Sequence, residues 1–437
     1  MLCFSCLVAS QDIKMFKGFG VDNPMSYKFV RTIAQDKNGF MWFGSSEGLS
    51  RFDGHNFISF HHDNDLSNSL SSDVVSRIII DKEEKLWVAT FGGGLNLYRE
   101  NSQDFLRFDT KTKVTPLTND TVNALFDDSE GKIWIGTENG LNILSNNNNV
   151  WSIKHIKKDL GNTKSLTHNT IHAIIETKEQ EIWVGTNGGG VSIFDINGNF
   201  IKSLESTKPN VKSNSIQFIN SLFYDEAGVV WIGTVESGLL KFNLNLNTYQ
   251  HYMFDESDLN SVLSNTIEKI YRDSQGNIWI ATDKGLLIYD ENNDYFQRYR
   301  HSASNPHSLS NDFVFTLFED SNNIMWIGTF TGVNRWDPNM TTFSQFSTQT
   351  SSELKNNNIT SFAQFDQDTI YFSTYSGGIY QLSINNNKIT PAPFNDDFTN
   401  FRVMTLFEDE GTLWVGTRSS GLFSVDVKNN TVKFKKF

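Results

Sequence analysis

Cysteine is almost missing from this chain. Of 437 residues only Cys3 and Cys6 carry a thiol, and both lie within the first six positions. The rest of the chain therefore has no disulfide framework and no thiolate metal site. Proline is scarce, at 7 residues, and no segment beyond the N-terminus offers the ~20 consecutive apolar residues that span a bilayer. Basic residues are outnumbered: 37 Lys and Arg stand against 50 Asp and Glu, a net charge of -13. That balance argues against phosphate-backbone binding and against a polybasic membrane contact, both of which need clustered cations. Neither nucleic acid nor a membrane surface is expected as a partner of this segment. A sustained 3.6-residue apolar period is also lacking, which leaves short strands as the reading.

What the chain does have is aromatic mass. It carries 36 Phe and 10 Trp, enough to fill several hydrophobic layers and too much for a disordered chain. The first ten residues, MLCFSCLVAS, are apolar and end in small residues. They match the back half of a secretory signal peptide without its basic n-region, so residues 1–11 are expected to be an export remnant and the protein periplasmic.

One pattern recurs along the sequence. An apolar pair three residues apart is followed by an acidic turn, then an aromatic-apolar-small-Thr/Ser strand, then Gly before an aliphatic residue. The aromatic of that strand is Trp42, Trp87, Trp134, Trp183, Trp231, Trp279, Trp326, Tyr371 and Trp414, at successive spacings of 43 to 49 residues. Apolar pairs such as Val30 and Ile33, or Ile267 and Ile270, mark the strand before the turn. In turns such as Asp128 to Gly131, Asp bonds its own backbone and Gly supplies positive φ. Trp is expected to fill the gap between neighbouring sheets. The Gly, Ala or Ser two residues later lets the next sheet approach. A second tight turn ends in Gly140 and its equivalents, and an aromatic, amphipathic outer strand closes each copy, as in Phe296 to Tyr299.

Nine four-stranded copies, none able to bury its aromatic face alone, predict an all-β β-propeller. Rings of four to eight blades are usual. The polar stretch 347–357 precedes the most degenerate copy, with Tyr371 in place of Trp and Phe365 in place of the turn Asp. The reading is therefore a seven-bladed ring over residues 12–346, followed over 347–437 by the first two blades of a second, truncated ring. Residues 13–16, Ile-Lys-Met-Phe, look like an outer strand. They are expected to complete blade seven, which leaves 343–346 as a linker strand.

The first copy reads Gln35-Asp36-Lys37-Asn38-Gly39-Phe40-Met41-Trp42-Phe43-Gly44, then Glu47-Gly48-Leu49-Ser50-Arg51-Phe52-Asp53-Gly54. It resembles the opening blade of the two-component regulator propeller family, and the resemblance covers residues 12 to 437. It implies the periplasmic sensor region of a hybrid two-component system, in which an oligosaccharide binds the propeller unit and changes the geometry of a homodimer. The full family architecture adds five more blades, an immunoglobulin-like domain, a membrane helix, a histidine kinase, a receiver and a DNA-binding domain. This chain lacks those parts, so it is expected to be a fragment or a truncated gene and not itself an enzyme.

Ligand contacts are expected in the turns between second and third strands, which open on one face of the ring. Phe91, Phe330 and Tyr375 offer aromatic platforms for the apolar faces of a sugar. Glu138, Asn187, Glu236, Lys284 and Arg418 offer polar groups for its hydroxyls. No catalytic residue, metal site or cofactor is indicated. The nine His residues show no ligand spacing and read as surface imidazoles. The alternatives left open are an extracellular propeller lyase or glycosidase acting on glycans, and a protein-interaction scaffold.

Overall fold

The computed structural model describes residues 14–18, 28–148, 150–204, 216–225, 227–258, 260–303, 305, 307–339, 348, 351, 353–384 and 388–435. The segment 1–11, the strand expected at 343–346 and part of the polar stretch 347–357 lie outside them. Among the described residues no helix is long and apolar enough to cross a membrane.

The strands form nine four-stranded antiparallel sheets, in agreement with the nine copies. The first blade is typical: Val30–Gln35, Met41–Ser45, Gly48–Phe52 and Phe57–Phe60 run in sequence from the innermost strand to the outermost. The chain divides into two compact units, Met1–Pro338 and Asn339–Phe437. The first holds seven blades whose innermost strands neighbour one another in a closed circle, with Val314–Glu319 of the seventh against Val30–Gln35 of the first.

The acidic turn is tied to the strand that follows it. In blade three the Asp128 carboxylate accepts the backbone N–H groups of Glu130 and Lys132 at 3.0 and 2.8 Å through one oxygen. Its other oxygen accepts the indole N–H of Trp134 at 2.7 Å. The same bond joins Asp36 to Trp42, Asp81 to Trp87, Asp273 to Trp279 and Asp320 to Trp326, at 2.7 to 2.8 Å. The constant six-residue spacing is the reach of this bond. Blade four has Thr177 in place of Asp and Trp183 turns to Glu181 at 3.2 Å, while the Trp231 indole nitrogen of blade five is buried without a partner. Each of the seven second-strand tryptophans of the ring is at most 3% exposed. Trp87, for example, packs in one cluster with Val122 and Ile135 of the following blade.

The small residue after Trp does what its size suggests. A Cβ on Gly185 would come within 2.5 Å of Ile219 on the next blade, and one on Gly136 within 2.6 Å of Ile171. Blades two and six carry Ala89 and Ala281 here, both fully buried, and their neighbours begin with the smaller Val122 and Val314.

The ring is closed by the N-terminus. Lys17–Gly18 pairs with the third strand of blade seven, Lys17 opposite Arg335 and Gly18 opposite Asn334. The pairing falls just after the residues expected to form it, because Phe16 serves as the plug. Its N–H donates to the His307 carbonyl at 2.9 Å, as that of Phe105 does to Asn68 in blade two. Its ring packs edge-on to Tyr299 and is 2% exposed.

The second unit consists of two sheets packed through Tyr371, Phe394, Phe398, Val403 and Leu413. Its outward faces leave Phe362, Phe407 and Phe434 more than half exposed.

Two outcomes check this account. Asp128→Ala should cost about 2 kcal/mol in denaturant melts, since it strands a buried indole N–H. Asp225→Ala, whose carboxylate holds its turn through Val229 but not Trp231, should cost less. Gly185→Ala should destabilise by about 1–3 kcal/mol through overpacking, and Ile219→Val should recover most of that loss. Simple additivity of the pair would contradict the packing argument.

Candidate functional site

Each inner strand of the ring begins with a fully buried Val or Ile and then slips register by one residue against its neighbour, as between Val30 and Thr32 or Ile267 and Lys269. A bulge of this kind frees one residue from the ladder and re-aims its side chain. Around the ring the bulge residue is Arg31, Ser76, Asn123, His172, Asn220, Glu268 and Phe315. Ser76 is fully buried and donates to the Val122 carbonyl. The other six, joined by Arg77, border the mouth of the central channel. Beneath the mouth lies a cavity of about 200 Å³, which Lys269 also lines.

The mouth has two unlike halves. Blades seven, one and two supply aromatics: Phe29 and Phe315 have ring centroids 4.1 Å apart, Phe313 stacks on Phe315 at 4.1 Å, and Phe330 lies 5.4 Å from Phe29. The Arg31 guanidinium sits 4.1 Å from the Phe29 ring, 5.2 Å from Phe91 and 5.8 Å from Phe315, a cation held by π-faces. Blades three to six supply polar groups. The Asn123 amide donates to Glu138 at 2.8 Å, and that of Asn220 donates to Glu268 and to the Ile267 carbonyl, both at 3.0 Å.

Enclosure shifts the charges of these groups. Burial raises the Glu268 carboxyl, with the nearby Asp283 adding to the shift and Asn220 and Arg77 opposing it. Burial lowers His172, aided by the charge of Arg77, so the imidazole favours its neutral form. Lys269 is accessible from the channel it lines, and inner strands of the ring surround that channel. This enclosure, together with the charge of Arg77, brings its ammonium down to about 8.

Three residues expected as ligand contacts meet here: Phe91 and Glu138 at the mouth, and Phe330, 52% exposed, at the aromatic edge. Asn187 holds the equivalent turn position, its N–H donating to the Thr170 carbonyl as those of Phe91, Glu138 and Phe330 donate in their blades. Glu236 and Lys284 stand one residue past the equivalent positions, which Val235 and Asp283 hold. Glu236 takes up the turn's positive φ of 72°, and the Lys284 N–H bonds the Thr282 hydroxyl. Tyr375 and Arg418 belong to the second unit, where the Arg418 guanidinium donates to the Tyr375 hydroxyl and Arg402 stands 5.4 Å from its ring. His172 departs from the expectation of surface imidazoles. Arg31, Arg77, His172, Asn220, Glu268, Lys269 and Phe315 were not among the expected site residues. In the sequence the two middle positions between the apolar pair run from Arg-Thr to Asn-Ala to Glu-Lys, a variation that does not by itself say which of them turns inward.

Five stretches, 24–47, 116–139, 165–188, 261–284 and 308–331, match the two component regulator propeller family. Each ends just past a second strand, so the matches cover the inner two strands of five blades. The chain is 26% identical to the extracellular domain of a protein described as a hybrid two component system from B. thetaiotaomicron. The TM-score is 0.70, over 97% of this chain and 55% of that one. A second such domain from the same organism is 21% identical, with a TM-score of 0.59 over 95% of this chain and 59% of that one. A virginiamycin B lyase from Staphylococcus aureus, crystallised with quinupristin, is 11% identical, with a TM-score of 0.54 over 74% and 98%. These last two share the fold. The chain spans a little over half the length of the two extracellular domains. No curated protein sequence matches it.

Lys269 gives the site a measurable signature. The unfolded chain keeps this proton up to about pH 10.5, whereas the folded ring releases it near 8. The charged lysine therefore costs stability below pH 8, and that cost fades as pH rises from 8 towards 10. The stability difference between the wild type and Lys269→Met should shrink over that window. A difference independent of pH would contradict the enclosure of Lys269.

Proposed function

We propose that the seven-bladed ring is the ligand-binding part of an extracytoplasmic, periplasmic sensor, and that it takes an oligosaccharide at the mouth of its channel. The kinase that would read the signal lies outside this chain, and the complete sensor would work as a homodimer. The likeness to extracellular domains of two-component systems supports the sensor reading.

The observation that carries the ligand class is the divided mouth. A pyranose has apolar C–H faces and a rim of hydroxyls. Phe91, Phe315 and Phe330 offer faces to the first, while Asn123, His172 and Asn220 offer donors and acceptors to the second. Binding there touches the inner strands of several blades together, which gives the ring a way to register occupancy.

The same geometry favours binding over turnover. Glycoside hydrolysis uses two carboxylates flanking the scissile bond. Glu268 is the single carboxylate among the described residues lining the cavity, and it and Glu138 at the mouth are each engaged by an Asn amide, from Asn220 and Asn123.

Incubation with a panel of glycan oligosaccharides, following melting temperature and product formation together, tests this reading. One oligosaccharide should stabilise the protein by about 2.7 kcal/mol at a hundredfold excess over its Kd, with no product. Phe91→Ala with Phe315→Ala should abolish the shift. Cleavage of any glycan would overturn the sensor reading.

A further inference from the structure

We propose that the channel is an anion site, in which the acidic group of a charged saccharide, a carboxylate or a sulfate, seats between Arg77 and Lys269. This rests on the oligosaccharide reading above and narrows it to acidic glycans.

The charge inside the ring runs against the charge of the chain. The protein carries -13 overall, yet its cavity holds Arg31, Arg77 and Lys269 against Glu268 alone. Glu138 and Asp283 stand on the turns above and do not line it.

Arg77 and Lys269 occupy the same place in their blades, one residue past the bulge. The other five blades put Thr32, Ala124, Ala173, Ser221 and Thr316 there, small and at most 8% exposed. Packing between inner strands therefore asks only for a small residue at this position. A long cation has nowhere to go but the lumen, and the fold does not require it.

Neither cation forms an ion pair among the described residues, although the charge of Glu268 acts on Arg77. The Arg77 guanidinium makes one hydrogen bond, to the Ser76 carbonyl at 2.9 Å, and Lys269 makes none among the described residues. The Nε of Arg31 is likewise buried without a partner. Arg31 depresses Arg77, and Arg77 depresses Lys269, so the cations stand close enough to repel one another. Enclosed like charges of this kind are unfavourable until a counter-charge enters. A cavity of about 200 Å³ admits such a group and several waters besides. The aromatic half of the mouth then holds the sugar ring that carries it.

The test compares trigalacturonate, neutral galactotriose and sodium sulfate by calorimetry and thermal shift at low salt. The proteins are the wild type, Arg77→Gln and Lys269→Gln. Trigalacturonate should bind the wild type at least about tenfold more tightly than galactotriose, and each substitution should weaken it at least about tenfold. Sulfate should stabilise the wild type and not the variants. Without ligand, both variants should melt at or above the wild-type temperature, which separates lost binding from lost folding. Equal binding of the two trimers, unchanged in the variants, would overturn the anion site and leave the saccharide reading standing. Stabilisation by sulfate alone, with no saccharide bound, would keep the anion site and remove the saccharide. No response to trigalacturonate or to sulfate would overturn the proposal.

Discussion

The hydrogen bond from a buried indole to the carboxylate of the preceding turn is the interaction on which the blades depend. One Asp side chain gathers two backbone N–H groups of its turn and the Trp of the next strand, so turn geometry and core packing are fixed together. A Trp filling the space between two sheets needs a partner for its one polar atom. The turn supplies it, and buried carboxylates such as those of Asp128, Asp273 and Asp320 are compensated by the N–H groups they accept. Five of the ring's seven blades use this solution. The two that do not are neighbours, blades four and five, and tolerate a weaker bond or none.

Once each blade is set, the spacing between blades follows from residue size. Gly or Ala beside the Trp lets the Val or Ile that opens the next inner strand lie against it. Repeated around the ring, this contact seals the circle, and the N-terminal strand makes the last sheet four-stranded. The second unit, taken by itself, packs its two sheets on one another. Trp414 lies on a sheet whose outward face leaves Phe407 and Phe434 exposed, whereas the equivalent faces of the ring are covered. A face of that composition exposed to water is the cost of a two-sheet array.

The sequence made the architecture plain and the site much less so, for a physical reason. Trp, the turn Asp and the small residue are demanded in every blade, so they repeat and can be read. A binding residue has no need to repeat. Phe91, Glu138 and Phe330 stood out as candidates because they vary at one position of an otherwise uniform turn. Glu236 and Lys284 were chosen one residue out of step, although counting from the Thr that ends the second strand gives Val235 and Asp283, as it gives Phe91 and Glu138. The inner-strand residues were hidden differently. A two-residue strand period assigns Arg31, Asn123, His172 and Glu268 to routine alternation, and only the bulge after the first apolar residue turns them to the channel.

The central claim is that the channel of the seven-bladed ring is where this protein meets its ligand. Hydroxyl-radical footprinting by mass spectrometry, with and without the oligosaccharide that stabilises the protein, addresses it directly. Protection of Phe91, His172, Phe315 and Phe330, with outer-strand aromatics such as Tyr295 unchanged, is the predicted result. Protection confined to Tyr375 and the second unit, with the channel residues labelled as before, would contradict it.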